Sequence, residues 1–143
     1  MEKEFVPYEL ALRMKALGFD EPCFGYYDGN HNLQFMYNGY PEKFSKKMMG
    51  VSDSVWVGWI SAPTFSQAFR WFREKYDMAH QVTYAGAKGR YNAFTDDWVY
   101  DSNGELKEFS YEEAELACLD KLIEIVESKQ RINRIIKDVQ DGK

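Results

Sequence analysis

This sequence holds no cysteine pair motif, no phosphate-cradling glycine loop and no excess of positive charge, and each absence removes a class of function. Its two cysteines, Cys23 and Cys118, lie far apart in apolar contexts. They read as two buried free thiols rather than a disulfide. The two histidines, His31 and His80, match no ligand spacing with them, so neither a zinc site nor a Cys–His nucleophile has support. No HExxH occurs. Gly86-Ala87-Lys88-Gly89 lacks the spacing and trailing Lys-Ser/Thr of a P-loop and reads as a turn. No cofactor is expected from motifs, and no residue is assigned a catalytic role. The absence of catalytic signatures leans away from an enzyme, and the balance of charge away from nucleic acid. A net charge of −5 offers no basic footprint for phosphates. The acids are dispersed rather than in blocks. No stretch approaches the roughly 20 apolar residues of a membrane span. Met1-Glu2-Lys3-Glu4 opens acidic with no apolar run behind it, so no secretory signal is read and a cytoplasmic protein is expected.

What the chain has in quantity is aromatic rings, with ten Tyr, ten Phe and four Trp among 143 residues. That is enough to fill the core of one domain and leave rings for a surface or a pocket. The densest run is Ala62 to Tyr76, which reads as a helix. Phe65, Ala68, Phe69, Phe72 and Tyr76 recur at helical spacing and form one apolar stripe. Thr64 and Gln67 have the spacing of a capping box, and Pro63 discourages backward extension. Trp71 falls roughly 120° from the middle of the stripe. Two readings are open: a loop or second element covers it, or it is an exposed binding anchor with Arg70 and Arg73 beside it.

The flanking segments read as strands and helices. Phe5 to Leu17 is a first helix, with Pro7 in its first turn and Gly18 as a left-handed cap over which Phe19 folds back. Pro22 to Asp28 and Leu33 to Tyr37 form a hairpin about Asp28-Gly29-Asn30-His31-Asn32. Residues 38–53 read as an amphipathic turn or a loop. Ser54 to Ser61 is a strand bulky on both faces, as a central strand would be. His80 to Ala85 and Arg90 to Tyr100 form a second hairpin, with Asp96-Asp97 marking a bulge or second turn and Asp101-Ser102-Asn103-Gly104 a further turn. Ser110 to Glu127 is a capped, well-buried helix. Residues 128–143 either continue it or form a second helix. In that tail Ile132, Ile135, Ile136 and Val139 repeat at helical spacing, and Lys129, Arg131, Arg134 and Lys137 make it a basic amphipathic segment. It is expected either to pack loosely or to bind a partner or a second copy. The expectation is α+β, order α-ββ-β-α-ββ-α, with an antiparallel sheet of four to five strands and helices on one face. Residues 1–127 would form one domain and 128–143 a basic amphipathic helical tail.

Two further groups bear on function. Tyr26, Tyr27, Trp56 and Trp59 fall on adjacent expected strands. They read as sheet packing, or as a cleft that stacks on a flat ligand whose phosphates Arg70, Arg73 or Arg90 would meet. Asp96, Asp97 and Asp101 read as solvated turn acids, or as a cation site.

Ala62-Pro63-Thr64-Phe65-Ser66-Gln67-Ala68-Phe69-Arg70-Trp71-Phe72-Arg73-Glu74-Lys75-Tyr76 resembles a block in small proteins of phages, prophages and mobile elements of gut anaerobes. Ser110-Tyr111-Glu112-Glu113-Ala114-Glu115-Leu116-Ala117-Cys118-Leu119-Asp120-Lys121-Leu122-Ile123-Glu124 resembles a second block, and Gly18 to Tyr27 a third. Together they span under a third of the chain. The resemblance implies an origin and carries over no activity or catalytic residue. The function expected is thus that of a non-enzymatic accessory protein that binds another protein or itself. The alternative is a small-molecule or nucleotide binder with an aromatic-lined pocket.

Overall fold

A computed structural model describes residues 2–35 and 59–142. The fold is α+β, with three α-helices and five strands among the described residues, in the order α-ββ-β-α-ββ-α after a short 3-10 turn at Glu2–Glu4. The strands are all antiparallel but divide between two small sheets rather than joining in one. The chain separates into two compact units, Met1–Asp77 and Met78–Lys143. The expected strand at 54–61 is described only from residue 59 onward; Trp56, Tyr37 and the 38–53 stretch lie outside the described residues.

In the first unit, α1 spans Tyr8–Ala16. It begins later than the sequence pattern predicts because its first residues are used elsewhere. Val6 donates its N–H to the Pro63 carbonyl at 2.9 Å, and Phe5 bridges Thr64. Pro7 therefore stands at the cap rather than inside the first turn, where its missing N–H leaves nothing unpaired. The other end closes as expected. Gly18 takes φ +100°, and the Gly18 and Phe19 amides donate to Lys15 and Met14 carbonyls. These two bonds are the Schellman pattern. Phe19 turns inward and is buried.

Strands β1 (Gly25–Tyr27), β2 (Leu33–Phe35) and β3 (Ile60–Ala62) form the first sheet, in the order β2-β1-β3. Among the described residues β3 is therefore an edge and β1 the centre. Gly25 pairs with both Phe35 and Ala62. A Cβ there would lie 3.1 Å from the Phe5 ring and 3.3 Å from the Gln34 carbonyl oxygen, which explains the glycine. Tyr27 is buried and donates its phenol to the Val6 carbonyl at 2.6 Å. Helix α2 then spans Phe65–Tyr76. Ala62 belongs to β3, so the helix starts at its cap, Thr64, whose hydroxyl accepts from the Gln67 amide at 3.2 Å. Phe65, Ala68, Phe69 and Phe72 are buried, as the stripe predicts.

In the second unit, β4 (Gln81–Tyr84) pairs with β5 (Tyr91–Phe94). Gly86 and Gly89 carry the turn with φ of +85° and +73°. The Asp96-Asp97 interruption is a second turn: Thr95 donates to the Asp97 carbonyl and Phe94 bridges Trp98. The chain reverses again at Asp101 and returns alongside itself, with Tyr91 bridging Phe109. Helix α3 runs unbroken from Tyr111 to Gln140, capped by the Ser110 hydroxyl. The tail at 128 onward is thus the second half of one helix. Ala114, Cys118, Leu119, Leu122, Ile123 and Val126 are its buried residues.

Candidate functional site

Apart from Trp56, each side chain proposed from the sequence lies among the described residues. Trp71 is buried, with 6% of its surface exposed. It is not an exposed anchor. Phe19 meets it edge-on at 5.4 Å, Phe72 and Tyr76 pack against it at 5.0 and 5.4 Å, and the Lys75 ammonium lies 4.9 Å from its ring centre. The loop after α1 supplies this cover. The same loop is pinned along the flank of α2: the Gln67 side-chain amide donates to the Pro22 carbonyl at 2.7 Å, and Arg70 pairs with Glu21 at 3.6 Å. Gln67 therefore completes only half of the expected capping box, because its side chain reaches across to this loop. Arg73 is exposed. Pro22, Phe24, Thr64, Ser66, Gln67 and Arg70 border a shallow cleft of about 330 Å³. Its one aromatic is Phe24, so it is not the expected aromatic-lined pocket.

Tyr26 and Trp59 do come together, stacked at 5.2 Å with planes 13° apart. Tyr27, the next residue in the strand, points to the opposite side into the core. The four-ring group predicted from the sequence is therefore split across the sheet, as strand alternation requires. Trp56 is outside the described residues. Arg90 belongs to the second unit and pairs with Glu108 at 3.0 Å.

The two thiols are free and buried. Burial, reinforced by the charge of Glu21, pushes the Cys23 thiol up to about 12. Burial also raises Cys118, whose Sγ donates weakly toward the Gln81 and Phe94 carbonyls at 3.6 Å. Both stay protonated near neutrality and are poor nucleophiles. Among the described residues, no group of three His, Cys, Asp or Glu side chains is placed to hold a metal ion. Asp101 instead accepts the Asn103 and Glu105 amides at 2.8 and 3.0 Å, which is turn chemistry. No described helix is long and apolar enough to cross a membrane.

The surface that stands out is the second half of α3. Ile132, Ile135, Ile136 and Val139 are 55%, 63%, 50% and 71% exposed. On a helix of about 100° per residue they fall on one stripe, rotated by roughly 100° from the buried stripe of the first half. The burial of α3 ends at Val126, and the exposed stripe begins six residues later, roughly one and two-thirds turns. The rest of this half is polar or charged. Lys129, Arg131, Arg134, Lys137 and Lys143 against Asp138 and Asp141 give residues 128–143 a net +3, so residues 1–127 carry −8 of the chain's −5. A contiguous apolar stripe with a cationic surround on a capped helix is the arrangement of a docking face. The tail was singled out by its spacing; its exposure was not legible, because the same spacing describes a buried helix.

Comparison with protein-family models, with curated proteins and with solved structures finds no match for this chain.

Proposed function

We propose that this is a non-enzymatic accessory protein of a phage or mobile element, and that it acts by binding protein through the exposed stripe of α3. The single observation that carries the reading is the exposure of Ile132, Ile135, Ile136 and Val139 on one face. Burying four such side chains contributes about 1.5–3 kcal/mol each when complete, and nothing in the folding of the second unit uses that gain. The basic surround favours a partner with acidic residues at the rim of an apolar groove. The origin rests on the resemblance of the Ala62–Tyr76 and Ser110–Glu124 blocks. The poor nucleophilicity of both thiols and the engagement of Trp71 and Tyr27 within the first unit support a binding role over a catalytic one.

The test compares the folded wild-type chain with Ile132→Asp/Ile136→Asp as baits, after circular dichroism has shown both to keep their helix content. Protein retained by the wild type and weakened at least tenfold in the variant is the expected result. Equal retention by both baits overturns the assignment of this face, as does background alone from both when the wild-type chain also stays monomeric.

A further inference from the structure

The geometry points to a second copy of this chain as the occupant of the α3 stripe, the two tails pairing antiparallel. The inference rests on the reading of this face as a protein-binding surface and names its partner. Three features of the helix fit that arrangement together. The first is length. Residue 126 is the last buried position of α3, and the helix ends at Gln140, with Asp141 as its cap. If two tails cross antiparallel with their midpoint between residues 133 and 134, residue 126 of one copy lies opposite residue 141 of the other. Each exposed half-helix then ends where the partner's buried half begins, and the overlap is filled along its whole length.

The second feature is the seam. In this register Ile132 lies opposite the partner's Ile135, and Val139 opposite the partner's Ser128. These positions repeat with the three-four spacing that sets knobs of one helix into holes of the other. Ile136 flanks the seam beside the partner's Lys129, whose aliphatic stem can lie over it while the ammonium stays in water. All four exposed apolar side chains are covered, and none of the charged ones has to be buried.

The third feature is charge. Arg131 and Asp138 occupy the same flanking position one heptad apart, and both are exposed. In the antiparallel register Arg131 of each copy faces Asp138 of the other, giving two symmetric ion pairs. In a parallel pair Arg131 would instead meet Ile136 and the tails' cations would lie level. The basic tail tip also approaches a chain whose remainder carries the opposite sign of charge, and antiparallel packing sets the two helix dipoles head to tail. The antiparallel arrangement is thus selected over the parallel one by the same two residues.

Sedimentation of the full chain over about 1 to about 200 µM tests this. The weight-average mass should rise from 16.8 kDa toward twice that value with concentration. Arg131→Asp alone, or Asp138→Arg alone, turns both ion pairs into repulsions and should weaken dimerisation about tenfold. Arg131→Asp/Asp138→Arg in one chain restores both pairs with their signs exchanged and should recover the wild-type constant. These positions are exposed, so each variant keeps its fold, which circular dichroism verifies. A chain that stays monomeric throughout the series overturns self-pairing. So does a dimer that the single changes leave unmoved, or one that the double change fails to rescue. A monomer whose Ile132→Asp/Ile136→Asp variant still loses retained protein would overturn self-pairing while leaving this face as a site for a different protein.

Discussion

The ring of Phe19 stands edge-on to Trp71 with centroids 5.4 Å apart, so the residue that follows the cap of α1 closes over the side of α2. This contact decides what Trp71 is for. It belongs to a ring cluster with Phe72 and Tyr76, and the adjoining loop is held by Gln67 and Arg70. Phe19→Ala is expected to destabilise the first unit by about 3 kcal/mol, through the lost transfer energy and the cavity left over Trp71. Arg73→Ala should change stability by less than about 0.5 kcal/mol. Urea denaturation followed by tryptophan fluorescence measures both. Near-equal midpoints for the two variants would mean that Phe19 does not cover the ring.

Asp28 and Asp101 build the same turn at two places in the chain. Each donates its N–H to the carbonyl four residues on, and accepts at its own carbonyl from the residue three on. Each also accepts through Oδ1 from the amides two and four residues on. The fourth residue is left-handed in both, His31 at φ +65° and Gly104 at φ +79°. Asp101→Ala, which strips two amides of their acceptor, should cost about 1 kcal/mol.

The Asp28 carboxyl is held below the usual carboxylate range, first by the hydrogen bond from the Asn32 amide. A carboxyl depressed in the folded state contributes stability above its unfolded value of 3.8, and the contribution is lost as the pH falls through the lower folded value. Asp28→Asn should therefore lower stability at neutral pH and flatten part of the acid limb of the stability profile, the two proteins converging once the pH has fallen through the folded value. Denaturant melts between neutral pH and the acid limb read this directly.

Cys23 gives the opposite dependence. Its thiol is raised from 9.0 to about 12, so the stability associated with it is fully present below pH 9 and declines as the pH rises toward 12. Near pH 8 a thiol with so high a pKa has a thiolate fraction about three orders of magnitude below that of a free cysteine. A thiol reagent should accordingly label neither cysteine of the native chain at an appreciable rate and both in denaturant. Fast native labelling of Cys23 would show that its pocket is open.

Helix α3 contains its own control. Leu122 is 1% exposed and Ile135 63%. Leu122→Ala should cost about 3 kcal/mol, whereas Ile135→Ala in dilute, monomeric protein should change stability by less than about 0.5 kcal/mol. Comparable losses at the two positions would mean that the stripe is covered within one chain.

The elements whose signals are local were legible in the sequence. Ser110 and Thr64 cap their helices, Gly18 closes α1, and Phe65, Phe69 and Phe72 face inward, because caps, left-handed glycines and helical periodicity act within a few residues. The α+β class and the order of elements followed from the same signals. Start points shifted where a residue had a distant partner: Val6 bonds to Pro63 and so leaves α1, and the Gln67 side chain goes to Pro22 and so leaves its capping box.

What tertiary structure decided is every question of cover. Trp71 lies off its stripe, and only the loop at Phe19 makes it a core residue. Tyr26 and Tyr27 are neighbours in sequence, yet one stacks on Trp59 while the other is buried. The five strands among the described residues pair as three and two, because pairing depends on which segments meet and not on their propensity. Ile132, Ile135, Ile136 and Val139 have the spacing of a buried stripe, and their exposure follows from α3 running on past the β4–β5 hairpin it packs on. Composition and periodicity determine that a side chain is apolar and which face it takes; only the fold determines whether another surface is there to meet it.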